Sequence, residues 1–280
     1  MQIFKEIGLL KAFLVEKRTQ GKTIGFVATM GALHEGHLEL IRNSQNENSL
    51  TVCSIFVNPS QFNNPTDLQK YPRTLESDTQ KLEKVGCDVL FCPEADEMYE
   101  SQSILRFDFG HLDKVMEGEF RPGHFSGVAL VVSKLFNIVE PNVAYFGQKD
   151  WQQVAIIQQL TRELKFNLKL KSIPTFREAD GLAMSSRNAR LTPELRKRSS
   201  IIYRALKSAT EEVKKNRAIN DVKADVIKTI EAEPDFKVEY VEVADSENLK
   251  PIKNVTESAR PIICIAVFAG EVRLIDNMFV

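Results

Sequence analysis

The stretch Ile24-Gly-Phe-Val-Ala-Thr-Met-Gly-Ala-Leu-His-Glu-Gly-His-Leu-Glu-Leu40 decides how the chain is read. Its apolar opening suits a buried parallel strand, and the small residues Ala28, Thr29, Gly31 and Ala32 then lead to two histidines, His34 and His37, at the expected first turn of a helix. Helix N-termini carry unpaired N–H groups and the positive end of the dipole, and side chains at i and i+3 share a face. Donors of two kinds therefore converge where a phosphate would sit, and small residues let a nucleotide approach the backbone. Two other readings stand beside this one: histidines that only cap or pack the helix, and a zinc site. The zinc-helix signature spaces its histidines four apart, whereas His34-Glu-Gly-His37 spaces them by three.

Outward from this stretch the chain alternates helix and strand. Before it, Ile7 to Arg18 places Leu9, Leu10, Phe13 and Leu14 on one helical face and stops at Gly21-Lys22. Gly21-Lys22-Thr23 is not a Walker loop, because the glycine required five residues earlier is Glu16. After it come a strand from Leu50 to Val57 ending in Asn58-Pro59, a helix from Thr74 to Val85 closed by Gly86, and a strand from Asp88 to Cys92. Gln61 to Arg73, polar and without apolar periodicity, reads as a mobile lid. Phe125 to Val139 is apolar nearly all round and predicts a central buried helix. Val143–Phe146, Trp151–Leu164 and Phe166–Ile173 continue as strand, helix and strand.

This order predicts an α/β fold: a Rossmann-like, doubly wound parallel sheet over residues 1–175. A polar hinge and phosphate-binding loop, 176–191, follows. Residues 192–280 then read as a second, smaller α+β C-terminal lid domain, with helices over Thr192–Val213 and Asn220–Ile230, strands over Lys237–Val243, Ile262–Phe268 and Glu271–Ile275, and a hairpin turn at Ala269-Gly270.

With 37 basic and 38 acidic residues among 280 and a net charge of -1, nothing points to a nucleic-acid or membrane partner, and no apolar run approaches the ~20 residues of a membrane helix. Cys53, Cys87, Cys92 and Cys264 form no Cys-x-x-Cys pair. Buried free thiols in a cytoplasmic protein are expected.

Ala28-Thr-Met-Gly-Ala-Leu-His-Glu-Gly-His37 closely resembles the signature of the pantoate–β-alanine ligase family, within the HxGH nucleotidyltransferase superfamily. The resemblance continues through Phe56-Val-Asn-Pro-Ser-Gln-Phe62, Tyr71-Pro-Arg73, Arg121-Pro-Gly-His-Phe125, Tyr145-Phe-Gly-Gln-Lys-Asp-Trp-Gln-Gln153 and Arg177-Glu-Ala-Asp-Gly-Leu-Ala-Met-Ser-Ser-Arg-Asn188. It implies an ATP-dependent synthesis in two steps: pantoate is adenylated with release of pyrophosphate, and β-alanine then displaces AMP to give pantothenate.

By the same resemblance, His34 and His37 contact the ATP phosphates, Lys149 stabilises the transition state, and Met184, Ser185, Ser186 and Arg187 form the phosphate-binding loop. Gly147 and Asp150 hold the ribose. Met30, through its backbone N–H, together with Gln61, Gln153 and Asn58, receives pantoate. Mg2+ is expected mostly on the ATP phosphates, with Asp78 nominated as the protein carboxylate near it. Arg121 and His124 are secondary phosphate or shape residues. No general base is assigned to amide formation, since an adenylate is already activated. The Arg196-Lys-Arg198 run reads as a solvated face. A homodimer through the first lobe is implied, as is a cleft between lobes that closes over the adenylate. Ala28, Gln148 and Trp151 depart from the common proline, glutamate and tyrosine without removing a catalytic group. The competing readings are another nucleotidyltransferase of the superfamily with a different acceptor, and a non-catalytic nucleotide-binding protein.

Overall fold

A parallel sheet in the order β1-β4-β3-β2-β5-β6 organises the N-terminal part of the chain. Its strands are β1 (Gln2–Phe4), β2 (Ile24–Thr29), β3 (Leu50–Ile55), β4 (Val89–Phe91), β5 (Val143–Gly147) and β6 (Lys169–Ile173). The computed structural model describes residues 1–62, 68–69, 71–101 and 103–280. The lid expected over Gln61–Arg73 lies in part outside the described residues.

The order has one reversal. From β2 the chain steps outward to β3 and β4, and β5 returns to pair with the other side of β2, at Gly25↔Val143 and Val27↔Tyr145. Loops leaving the carboxyl ends of β2 and β5 therefore flank the switch point, where open α/β sheets bind ligands. Helices α1 (Ile7–Thr19), α2 (Glu35–Glu47), α3 (Leu75–Val85), α4 (His124–Val139) and α5 (Trp151–Glu163) alternate with these strands. Helix α4 is buried on nearly every side, as its all-round apolar pattern predicts. Strand β1 is the element that periodicity misses: three residues are too few for a pattern, and pairing with β4 from Gln2↔Val89 to Phe4↔Phe91 makes it a strand.

The C-terminal part forms an antiparallel sheet, β7 (Phe236–Asp245), β8 (Pro261–Ala269) and β9 (Val272–Phe279), packed on α7 (Ile201–Lys214) and α8 (Ile219–Glu231). The sequence pattern predicts a single helix from Thr192 to Val213. The chain instead makes α6 (Pro193–Arg198), breaks at Ser199-Ser200, and resumes as α7. Ser199 is fully buried and its hydroxyl donates back to Leu195 O at 2.7 Å, a local bond that competes with helix continuation.

Two compact units are formed by residues 1–109, 121–147 and 156–173, and by residues 110–120, 148–155 and 174–280. Side chains explain the assignment of the two inserted segments to the second unit. Gln152 donates to Leu112 O and Val115 O, both at 2.8 Å, and accepts from Glu117 N. Arg273 of β9 pairs with both oxygens of Glu117, at 2.7 and 2.9 Å. The Trp151 indole donates to Ser246 O at 2.8 Å and meets the Phe279 ring edge-on. No helix among the described residues is long and apolar enough to cross a membrane.

Candidate active site

The carboxyl end of β2 carries the first group of predicted residues. Beyond Thr29 the backbone turns through Gly31 at φ +81° and Ala32 at φ +50°. A side chain at Gly31 would be strained by that φ and would stand 3.1 Å from Asp78 Oδ2. The turn brings the N–H groups of Ala32 and Leu33 onto the Asp78 carboxylate, each at 2.8 Å, while Thr74 Oγ1 donates to the same carboxylate at 3.0 Å. Lys81, one turn further along α3, donates to Leu33 O at 2.7 Å.

Asp78 therefore braces the turn. It is 0 % exposed and surrounded by three donors that a cation would have to displace. Among the described residues no group of three or more His, Cys, Asp or Glu is placed to hold a metal.

His34 is the N-cap of α2: its N–H donates to His37 Nδ1 at 3.3 Å, and its carbonyl accepts from the His37 N–H at 2.8 Å. The two rings stack with centroids 4.0 Å apart. The capping reading is thus realised, and it is compatible with phosphate binding. A neutral imidazole that accepts at Nδ1 carries its proton on Nε2, which makes that atom a donor for an anionic oxygen. Gly147, at the end of β5, has no heavy atom within 4 Å of where a Cβ would lie, so open space adjoins the backbone on the other side of the switch point.

Behind β3, Asn58 and Gln61 form a buried polar knot. Asn58 Nδ2 donates to Gln61 Oε1 and to Gly127 O, both at 3.1 Å, and its Oδ1 accepts from Ser60 Oγ at 2.9 Å and Tyr99 OH at 2.8 Å. All of the Asn58 amide is engaged, so this residue shapes the turn that presents Gln61. Gln61 Nε2 lies 2.9 Å from Met30 Sδ, bringing these two predicted residues together. His124 Nδ1 is 2.9 Å from Gln61 O, and the turn packs on α4 so closely that a Cβ at Gly127 would meet Ser60 O at 2.2 Å.

The remaining predicted residues belong to the second unit. Lys149 and Asp150 lie in the turn Gln148–Asp150 that opens α5, with Nζ 3.6 Å from Asp150 Oδ2. Gln153 follows, half-buried on α5. The stretch before the phosphate loop is a small hairpin, closed by the Arg177↔Ala183 bridge and by Met184 N donating to Phe176 O at 3.0 Å. Ser185 caps the turn Ser186–Arg190, its hydroxyl accepting from Arg187 N at 3.2 Å. Arg196 is not a solvated side chain as expected: it pairs with Asp180 at 2.6 Å and Glu178 at 2.5 Å across this hairpin, and its hydrogen bond holds the Asp180 carboxyl below its ordinary range.

The predicted set thus divides: Met30, His34, His37, Asn58, Gln61, Asp78 and Gly147 in the first unit, Lys149, Asp150, Gln153 and Met184–Arg187 in the second. The supports that motif reading missed, Thr74, Lys81, Tyr99 and Arg196, carry no motif of their own.

The sequence profile of the Pantoate-beta-alanine ligase family matches residues 2–279. The chain belongs to the pantoate–β-alanine ligase family. Curated relatives of the family agree over the whole length: it is 48% identical over 279 residues to the pantothenate synthetase of Azobacteroides pseudotrichonymphae genomovar. CFP2, covering 99% of both chains. Over 277 residues it is 48% identical to that of Aquifex aeolicus (strain VF5), covering 98% of this chain and 97% of the relative. Among solved structures, pantothenate synthetase from Thermus thermophilus superposes with a TM-score of 0.93 at 39% identity, with 99% of each chain covered. The ligase from Francisella tularensis, complexed with beta-gamma ATP and β-alanine, superposes with a TM-score of 0.81 at 36% identity, covering 99% of this chain and 97% of that one.

Proposed function

We propose that this ligase condenses pantoate with β-alanine through an enzyme-bound pantoyl adenylate, using MgATP. In the first step a pantoate carboxylate oxygen attacks the α-phosphorus and the bond to the bridging oxygen breaks, releasing pyrophosphate. In the second step the β-alanine amine attacks the acyl carbonyl, AMP leaves with the electron pair of the acyl–oxygen bond, and the ammonium proton is lost to give pantothenate.

One observation carries the reading: the histidine-capped start of α2 and the open backbone at Gly147 flank the switch point of a parallel sheet. Negative charge grows on the phosphate oxygens during adenylation, and preorganised donors aimed there lower the barrier. His34 and His37 fill that role, with the helix dipole behind them. Lys149 adds a cation, and Ser185, Ser186 and Arg187 add hydroxyl and guanidinium donors from their capped turn. Asp150 accepts from the ribose hydroxyls beside Gly147. Gln61 and Gln153 read pantoate, whose hydroxyls and carboxylate suit amides that donate and accept, and the Met30 N–H meets the attacking carboxylate. Asn58 holds Gln61. Magnesium travels on the triphosphate, neutralising the charge of departing pyrophosphate.

The protein works as a cytoplasmic homodimer in this reading. Four buried free thiols suit a reducing compartment, and the apolar side chains of Ile104 and Leu105, 95% and 56% exposed, suit a covered face.

The test is incubation with MgATP, pantoate and β-alanine while following AMP, pyrophosphate and pantothenate, with each acid omitted in turn. Pyrophosphate should form with pantoate alone in an amount matching the enzyme, and turnover should require β-alanine. Absence of pantoate-dependent pyrophosphate would refute the proposal.

A further inference from the structure

From Leu274 to Phe279 strand β9 is apolar except for Asp276 and Asn277. Both are buried, at 4% and 5% exposure. A buried carboxylate and amide cost stability unless fully partnered, and the pairing of β9 with β8 uses only the backbone. Their side chains therefore answer to something beyond the sheet.

Adjacent residues of a strand project to opposite faces, so this dipeptide grips two segments. Asp276 takes the Arg177 guanidinium in a two-pronged ion pair, at 2.6 and 2.9 Å, and also accepts from its neighbour's N–H. The same guanidinium donates to Gly181 O and Asn277 O and lies over the Tyr203 ring, which ties the strand to the base of the hairpin leading into Ser185–Arg187. Burial pushes the Asp276 carboxyl above its ordinary value, while Arg177, and more weakly Lys149, pull it down.

Asn277 uses its amide differently. Nδ2 donates to Gln148 O and to Lys149 O, both at 2.8 Å. Those carbonyls belong to the peptide planes immediately before and after the Lys149 Cα. Fixing both planes sets both soft backbone dihedrals of Lys149, and hence the direction of its Cα–Cβ bond. A long flexible ammonium side chain retains its stem freedom, but its origin no longer moves.

We propose that Asn277, seated by the Asp276–Arg177 pair, is a positioning residue for adenylation: it fixes the backbone on both sides of Lys149 so that the ammonium is delivered in one orientation. The proposal rests on the role given to Lys149 above. Misplacement of a catalytic group by about 1 Å can cost up to about a hundredfold in rate.

A double-mutant cycle tests it, read as the rate of pyrophosphate formation from MgATP and pantoate in a single turnover without β-alanine. Lys149→Ala should slow this step by about a hundredfold or more. Asn277→Ala should slow it about tenfold, with the half-saturating concentrations of MgATP and pantoate within about twofold of the parent. In the Lys149→Ala background the Asn277→Ala change should cost nothing further, because the group it positions is gone. A residue that only stabilises the fold would cost the same in both backgrounds. Thermal unfolding is followed for every variant. If Asn277→Ala melts below the assay temperature, the cycle is repeated with Asn277→Ser, which keeps one donor and should give an intermediate rate.

Parent-like rate in the Asn277 variant, an equal loss in both backgrounds, or a loss confined to half-saturation would overturn the positioning role alone. Parent-like rate in Lys149→Ala would overturn the reading of Lys149, and the positioning role with it.

Discussion

Replacing Asp78 by asparagine separates a structural brace from a metal ligand. In the parent, the carboxylate accepts two main-chain bonds of 2.8 Å and one hydroxyl bond of 3.0 Å at a site with no solvent access. Asparagine keeps the shape but turns one oxygen into an NH2 group, so one of the amides of Ala32 and Leu33 faces a donor. Hydrogen bonds to an ionised group contribute about 1.5–3 kcal/mol, a neutral bond about 1, and an orphaned buried amide costs about 1–3. Losing one charged bond, weakening a second and orphaning one N–H gives a destabilisation of about 3 kcal/mol at the low end of these ranges. At about 2–4 °C per kcal/mol this lowers a melting midpoint by about 6–12 °C, read by scanning calorimetry because the chain has two units that need not melt together. The turn leads directly into His34, so the half-saturating MgATP concentration should rise as well. The magnesium dependence at saturating ATP should keep its midpoint. An unchanged melting curve together with a magnesium curve shifted to higher concentration would refute the brace and restore Asp78 as a metal ligand.

Other substitutions test the site piece by piece. His37→Ala should cut pantoate-dependent pyrophosphate release by about 10²–10³-fold and cost about 1 kcal/mol of stability through the lost cap; unchanged release would show the ring does not touch the phosphates. Gly147→Ala should leave the melting midpoint in place, since its Cβ meets nothing, and raise the half-saturating ATP concentration several-fold; normal ATP kinetics would remove the ribose from that position. Gly127→Ala places a Cβ 2.2 Å from Ser60 O, so it should destabilise the protein by about 1–3 kcal/mol and weaken pantoate more than ATP; equal effects on both substrates would argue against a pantoate role for Gln61. Arg196 holds the folded-state value of Asp180 below its unfolded value of about 3.9, so its stabilisation is complete above that pH and is lost as pH falls through the folded value. Arg196→Gln should therefore destabilise at neutral pH by an amount that shrinks as pH falls through the folded value of Asp180, and a pH-independent difference would break the link to Asp180.

Much of the fold was legible in local pattern. Continuous apolar runs at Ile24–Thr29 and Leu50–Ile55 read as parallel strands because a sheet covered on both faces needs no polar alternation. Gly86 ended α3 in the left-handed conformation that a glycine after a helix announces. The local geometry of the candidate residues was legible where they are contiguous: His34 and His37 lie on one helical turn, and Ser185 with Arg187 on another. The bracing bonds of Asp78 were not legible, because a lone acid at a helix start looks the same whether it receives two backbone amides or a cation. The Arg196 run was misread for a related reason, since Glu178 and Asp180 are its partners only after the hairpin folds back.

By itself, then, the sequence determined the αβ alternation, the two histidines at the start of α2 and membership of the ligase family, all of which depend on residues near one another in the chain or on strings that recur whole. Tertiary structure alone decided that residues 110–120 and 148–155 join the C-terminal unit, that Asp78 braces the turn before His34, and that Asn277 stands against the carbonyls around Lys149. Each of these is a hydrogen bond or ion pair between residues remote in sequence. A side chain's donors and acceptors are fixed by its type, but its partners exist only once the chain has brought them within about 3 Å.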